Sequence, residues 1–98
     1  MSDEQTTRDN DVEITVTDIS DELEGWDRFR ASARNEADGP RTVNGSIQLF
    51  REDGGLAGEC TVYLEVPPGE SKADEFTVKV TNGPAVKWVF KVVKVYSF

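Results

Sequence analysis

With 98 residues, 37% of them hydrophobic and gathered in short runs, the chain can hold one domain with one core but not two. Its net charge of −8 lies at the front, with ten acids against Arg8 in residues 1–27 and a body of +1 from residue 28 onward, which excludes duplex nucleic acid as a natural partner. The absence of histidine excludes Ser-His-Asp and Cys-His chemistry, a lone cysteine excludes an internal disulfide, and no run reaches the roughly 20 apolar residues of a membrane helix.

Residues 1–11 are acidic and polar and read as a disordered tail, with the folded domain running from 12 to 98. From Val12 onward the apolar period is 2, the signature of half-buried strands. Val12, Ile14 and Val16 alternate with Glu13, Thr15 and Thr17 in the first strand. Asp18 to Gly25 breaks the pattern, as a loop or as a short helical turn that Ser20 could cap. A second strand spans Trp26 to Asn35, with Phe29, Ala31 and Ala33 on one face and Arg28, Arg30, Ser32 and Arg34 on the other. Glu36 to Pro40 turns the chain.

Val43, Gly45, Ile47 and Leu49 mark the inner face of a third strand. Glu52-Asp53-Gly54-Gly55 supplies the positive φ angles of a hairpin turn. Cys60, Val62, Leu64 and Val66 form the inner face of the fourth, which Pro67-Pro68-Gly69 ends. Phe76, Val78 and Val80 define a fifth, and Asn82-Gly83-Pro84 turns the chain into a last strand from about Val86 to Tyr96. The expected fold is an all-β, immunoglobulin-like β-sandwich of six to seven antiparallel strands.

Between Phe29 and Phe76 the turns follow a recurring order: Asn35 with a glycine soon after, Leu49-Phe50-Arg51-Glu52-Asp53-Gly54, then Leu64-Glu65-Val66-Pro67-Pro68-Gly69-Glu70. This order resembles that of bacterial immunoglobulin-like modules of the CARDB and FxLYD types, over about residues 12–95. The resemblance implies a non-enzymatic adhesion, spacer or interaction module, usually on exported or envelope proteins, and carries no site residues with it. The start of the chain shows no secretory leader, which fits either a cytoplasmic protein or a domain of an exported one.

Cys60 shares a face with Val62 and Leu64 and reads as an inert core thiol. The acids Asp18, Asp21, Glu22, Glu24 and Asp27 offer oxygen to calcium but lack the Asp-x-Asp-x-Asp-Gly order, so a solvated connection is expected and no cofactor. Arg28, Arg30 and Arg34 either pair with Glu13 and Glu75 on neighbouring strands or form an anion patch; pairing is favoured. Trp88, in phase with Phe90 and Val92, reads as a core anchor; Trp26 is a core residue or part of a sugar-stacking platform. Asn44-Gly45-Ser46 matches the glycosylation sequon and is a deamidation point if mobile.

The last strand departs from simple alternation, because Val89, Val93 and Val95 are apolar opposite Val86, Trp88, Phe90 and Val92. Either a bulge near Val92-Val93 switches the inward face, or another chain covers the second face. Val89, Val93, Val95, Phe50 and Tyr63 are therefore the candidate interface residues. The expected function is a non-catalytic protein-interaction or structural module, self-associating through the C-terminal strand. The alternative is a carbohydrate- or small-ligand-binding module using exposed aromatics. No enzymatic activity is expected.

Overall fold

The computed structural model describes residues 4–20 and 26–97. Seven strands fill them: β1 (Glu4–Asp9), β2 (Val12–Asp18), β3 (Trp26–Asn35), β4 (Arg41–Phe50), β5 (Leu56–Val66), β6 (Ser71–Lys79) and β7 (Lys87–Ser97). They pair antiparallel in two sheets, one of four strands in the order β1-β2-β3-β6 and one of three in the order β5-β4-β7. The chain crosses between sheets after β3, β5 and β6, so β6 lands beside β3 and β7 beside β4. The expected all-β sandwich is the observed one. Among the described residues no helix is long and apolar enough to cross a membrane.

The core lies where the inward residues of the two sheets meet. Val12, Ile14 and Val16 from β2, and Phe29, Ala31 and Ala33 from β3, face Val43, Ile47 and Leu49 from β4 and Val62, Leu64 and Val66 from β5. All are buried, as the period-2 pattern requires when one face of each sheet is dry. Trp88 is 2% exposed and is the anchor expected of it. Its ring meets Phe29 at a centroid distance of 5.0 Å and a tilt of 55°, within the favourable range for an aromatic pair.

The front of the chain corrects the sequence reading. Within the segment expected as a disordered tail, Glu4–Asp9 forms β1, in register with β2 from Glu4 opposite Thr17 to Asp9 opposite Val12. Asn10 and Asp11 make the turn with φ of 46° and 64°, a left-handed pair that these two residue types tolerate better than most. The strand contains no large apolar residue. Polar fastenings hold it instead: Arg8 to Glu36 at 2.9 Å, and the Asn10 carboxamide to the carbonyl of Val95 at 3.1 Å. Neither partner is near in sequence, so local pattern could not reveal them.

Asn35, opposite Val12, ties the same end of the sandwich. Its buried carboxamide donates to the carbonyls of Gly39 and Val66, both at 3.0 Å, and accepts from the amide of Ala37 at 2.8 Å. Its backbone receives the Gly69 amide and donates to the Glu70 carbonyl. One side chain thus organises the β3–β4 turn and locks it to the β5–β6 turn. The asparagine and the Pro-Gly-Glu turn picked out in the sequence are two halves of one joint.

Candidate interaction surface

The last strand resolves through a bulge. Gly45 on β4 faces Val92 and the preceding residue, Asn44, faces Lys94, leaving Val93 as the extra residue. Before the bulge Trp88, Phe90 and Val92 point inward; after it the parity switches and Val95 takes the core position, 7% exposed. Val95 was expected on the outer face, and the bulge is the reason it is not there. Val93 is pushed out instead and is 64% exposed, a large value for a valine inside a strand.

The other candidates fall on the same side as Val93. Phe50, Tyr63 and Val89 lie on the outer face of the three-stranded sheet, so four of the five expected interface residues share one surface. The register orders that surface in rows across β5, β4 and β7: Glu59–Gln48–Val89, Thr61–Ser46–Lys91, Tyr63–Asn44–Lys94 and Glu65–Thr42–Tyr96. Short polar side chains of β4 therefore run down the middle, with longer ones on both flanks.

Charge divides these flanks. The β7 flank carries Lys87, Lys91 and Lys94, while the β5 flank carries Glu59 and Glu65. Two strand spacings of about 4.8 Å separate them. Glu59 accepts from Gln48 at 2.7 Å and Ser46 at 3.2 Å, and Glu65 accepts from the Tyr63 hydroxyl at 2.8 Å. That carboxylate holds the Tyr63 phenol above its ordinary pKa, with a smaller push from Tyr96. Lys94 sits over the Tyr96 ring at 5.5 Å.

At the hairpin end, Phe50, Val86 and Val89 form the apolar part of an open groove of about 450 Å³, flanked by Arg51 and Lys87. Arg51 is held by Asp53 at 3.1 Å.

The edge of β7 is less available than its place in the sheet suggests. Gln5 donates to the Trp88 carbonyl and accepts from the Phe90 amide, both at 2.8 Å, while Asn10 takes the Val95 carbonyl. Side chains of β1 and of the turn after it thus occupy backbone positions that an added strand would need. Association through this strand must use its face.

Arg30 faces Glu75, Arg34 faces Glu13, and the Arg28 guanidinium reaches Glu75 at 2.8 Å. The arginine stripe is therefore registered against acids on both sides. Trp26 is 43% exposed, but on the outer face of the four-stranded sheet, with Lys79 Nζ 5.9 Å from its ring. Trp26 is therefore not the core residue it was expected to be, and with Trp88 buried and Tyr63 on the opposite side of the sandwich it has neither as a partner in a stacking platform.

Cys60 is half-buried against the core, and burial pushes its thiol pKa up, away from the reactive thiolate. The turn that Ser20 was expected to cap lies outside the described residues; the Ser20 hydroxyl bonds the Arg28 backbone, accepting from its amide at 2.9 Å. Asp21, Glu22 and Glu24, which carry the calcium question, lie outside the described residues. Among the described residues no group of three or more histidine, cysteine or acidic side chains could hold a metal ion.

No family model matches the chain, and no curated protein matches it. Among solved structures, a DUF1425 family member from Shewanella sp. pv-4 is similar, with a TM-score of 0.57 and 13% identity over 97% of this chain and 92% of that one. At that identity the likeness is one of fold: this chain shares its all-β architecture with a bacterial protein of a family without an assigned function.

Proposed function

We propose that the chain is a non-catalytic protein-interaction module, of the adhesion or spacer kind, that docks through the outer face of its three-stranded sheet. The observation that carries this reading is the bulge at Val93. A bulge that only completed the core would leave its extra position open to any polar residue. Here it presents a valine to solvent next to the row of the half-exposed Tyr63, with Val89 and Phe50 further along the face. Apolar and tyrosyl groups set between a neutral polar centre and charged flanks suit a protein surface that must be both soluble and sticky.

Catalysis is the weaker reading. The thiol is shielded, histidine is absent, and the carboxylates of this face already bond neighbouring side chains. The carbohydrate alternative loses its platform with Trp26 on the opposite face.

Site-specific photo-crosslinking in the source cells tests the proposal. A photoreactive residue in place of Tyr63 or Val93 is expected to give discrete protein adducts. The same residue in place of Thr15 or Arg30, on the outer face of the other sheet, is expected to give none. Equal labelling from both faces would remove the docking role from this one.

A further inference from the structure

We infer that the partner seated on this face is a second copy of the chain, related by a two-fold axis parallel to β4; the inference rests on reading the face as a docking surface. The lysine flank of β7 and the glutamate flank of β5 carry opposite charge. Within one copy the two flanks stand apart across β4, and Lys87 and Lys91 form no ion pair among the described residues. A face that is basic along one side and acidic along the other is complementary to itself under one kind of rotation.

Two sheets packing face to face lie about 10 Å apart with nearly aligned strands. A two-fold axis in the contact plane and parallel to β4 exchanges left and right while keeping each row level. It lays the β7 flank of each copy over the β5 flank of the other, twice by symmetry, as an isologous contact requires. Lys91 then meets the Thr61 row and lies one row from Glu59. Lys94 meets the Tyr63 row and lies one row from Glu65. A row step is about 6.8 Å, within the combined reach of a lysine and a glutamate.

The other in-plane axis, perpendicular to β4, would put lysine on lysine and glutamate on glutamate. Charge therefore selects the orientation as well as the partner. Val93, at the bulge beside the Lys94 row, is laid close to the Tyr63 row of the other copy, where both are shielded from water in the dimer, and the short side chains of Asn44 and Ser46 leave room for the approach.

The size of the face sets the expected strength. Three strands of ten or eleven residues cover roughly 35 by 14 Å, or about 500 Å² per copy. That is below the ~800 Å² per partner of a standard stable interface, so the dimer is expected to be weak, reversible on dilution and sensitive to salt.

The test is molar mass by light scattering on the purified chain across a tenfold dilution, at low salt and at about 1 M. Wild type is expected to approach twice the 10.9 kDa chain mass at low salt and to fall toward one chain at high salt. Lys91→Glu with Lys94→Glu makes a predominantly acidic face that keeps only Lys87 on the β7 flank, and Glu59→Lys with Glu65→Lys makes a face with lysines on both flanks. Each is expected to be a folded monomer with a melting temperature close to wild type. Mixed in equal amounts, they are expected to form a heterodimer, and the fourfold variant carrying both changes is expected to recover the homodimer.

A wild type that stays at one chain mass at every low-salt concentration overturns the inference, as does a mixture of the two charge variants that fails to associate. If the crosslinking at Tyr63 still yields adducts with other proteins, the docking role of the face stands and only the identity of the partner falls.

Discussion

The carboxamide of Gln5 clasps the backbone of Phe90: its Oε1 accepts the Phe90 amide at 2.8 Å while its Nε2 donates to the neighbouring Trp88 carbonyl, also at 2.8 Å. One side chain imitates the hydrogen bonding of a strand and joins the two sheets along the β1–β7 side. Gln5→Ala is expected to cost about 1–2 kcal/mol, since two hydrogen bonds of modest net worth are lost at a partly buried site. Hydrogen exchange at the Phe90 amide reads the effect directly. Unchanged protection there would mean that the clasp contributes nothing to closing this side.

Asn35 is expected to be among the most costly polar positions. Asn35→Ala removes three side-chain hydrogen bonds and leaves the Ala37 amide and the Val66 carbonyl without that partner. A loss of about 2–4 kcal/mol follows from the cost of unsatisfied buried groups. Urea unfolding measures it, and a loss under about 1 kcal/mol would show that water replaces the side chain easily.

Val93 and Val95 provide a paired test of the bulge. Val95→Lys puts a charge into the core and is expected to destabilise by more than about 2 kcal/mol. Val93→Lys is expected to leave the melting temperature nearly unchanged, within the ±0.5 kcal/mol usual for exposed sites. Thermal unfolding of the two variants decides it; equal destabilisation would place the bulge elsewhere.

Gly45 lies opposite that bulge, and a Cβ there would meet Phe90 Cε1 at 2.8 Å and the Lys91 carbonyl oxygen at 3.0 Å. Gly45→Ala is expected to cost about 1–3 kcal/mol by overpacking, read by urea unfolding. The preceding residue is held in the central strand of its sheet with neighbours on both sides. Asn44-Gly45 is therefore expected to resist deamidation in the folded protein, and peptide mapping after prolonged incubation, folded against urea-unfolded, checks this.

Asp27 gives stability a pH dependence of defined sign. Burial first, then the nearby Asp18 carboxylate, raise its pKa above the ordinary carboxylate value, while a hydrogen bond from Ser20 lowers it in part. A group whose folded pKa is raised binds its proton more readily in the folded state. Its contribution is therefore full below the unfolded pKa and is lost as pH rises through the folded one. Asp27→Asn is expected to remove that slope and leave the protein at least as stable as wild type at neutral pH, as measured by melting curves from pH 3 to about 7.

How much of this was legible in the chain depends on the range over which each feature is determined. Alternation at Val12-Ile14-Val16 or Val62-Leu64-Val66 is a local consequence of the pleat, so strands, turns and the two-layer architecture could be read directly. The outward arginine stripe and the anchor role of Trp88 followed from the same period, while the register that sets Arg34 against Glu13 did not. β1 could not be read this way, because Gln5, Asn10 and Arg8 find their partners at Phe90, Val95 and Glu36, far along the chain.

The last strand shows the division most clearly. Its sequence determined that a strand with two apolar faces must either bulge or be covered, because a single solvated face does not need valine at 89, 93 and 95. Tertiary structure alone decided that Val95 turns inward and Val93 outward, since the position of a bulge depends on where Gly45 lets the neighbouring strands approach. It alone also decided that Tyr63 and Trp26 occupy opposite sides of the molecule, and that lysines from β7 and glutamates from β5 flank the same face. Composition counts charges; only the order β5-β4-β7 arranges these into two opposed flanks, because strand order is set by long-range burial and not by neighbours in sequence.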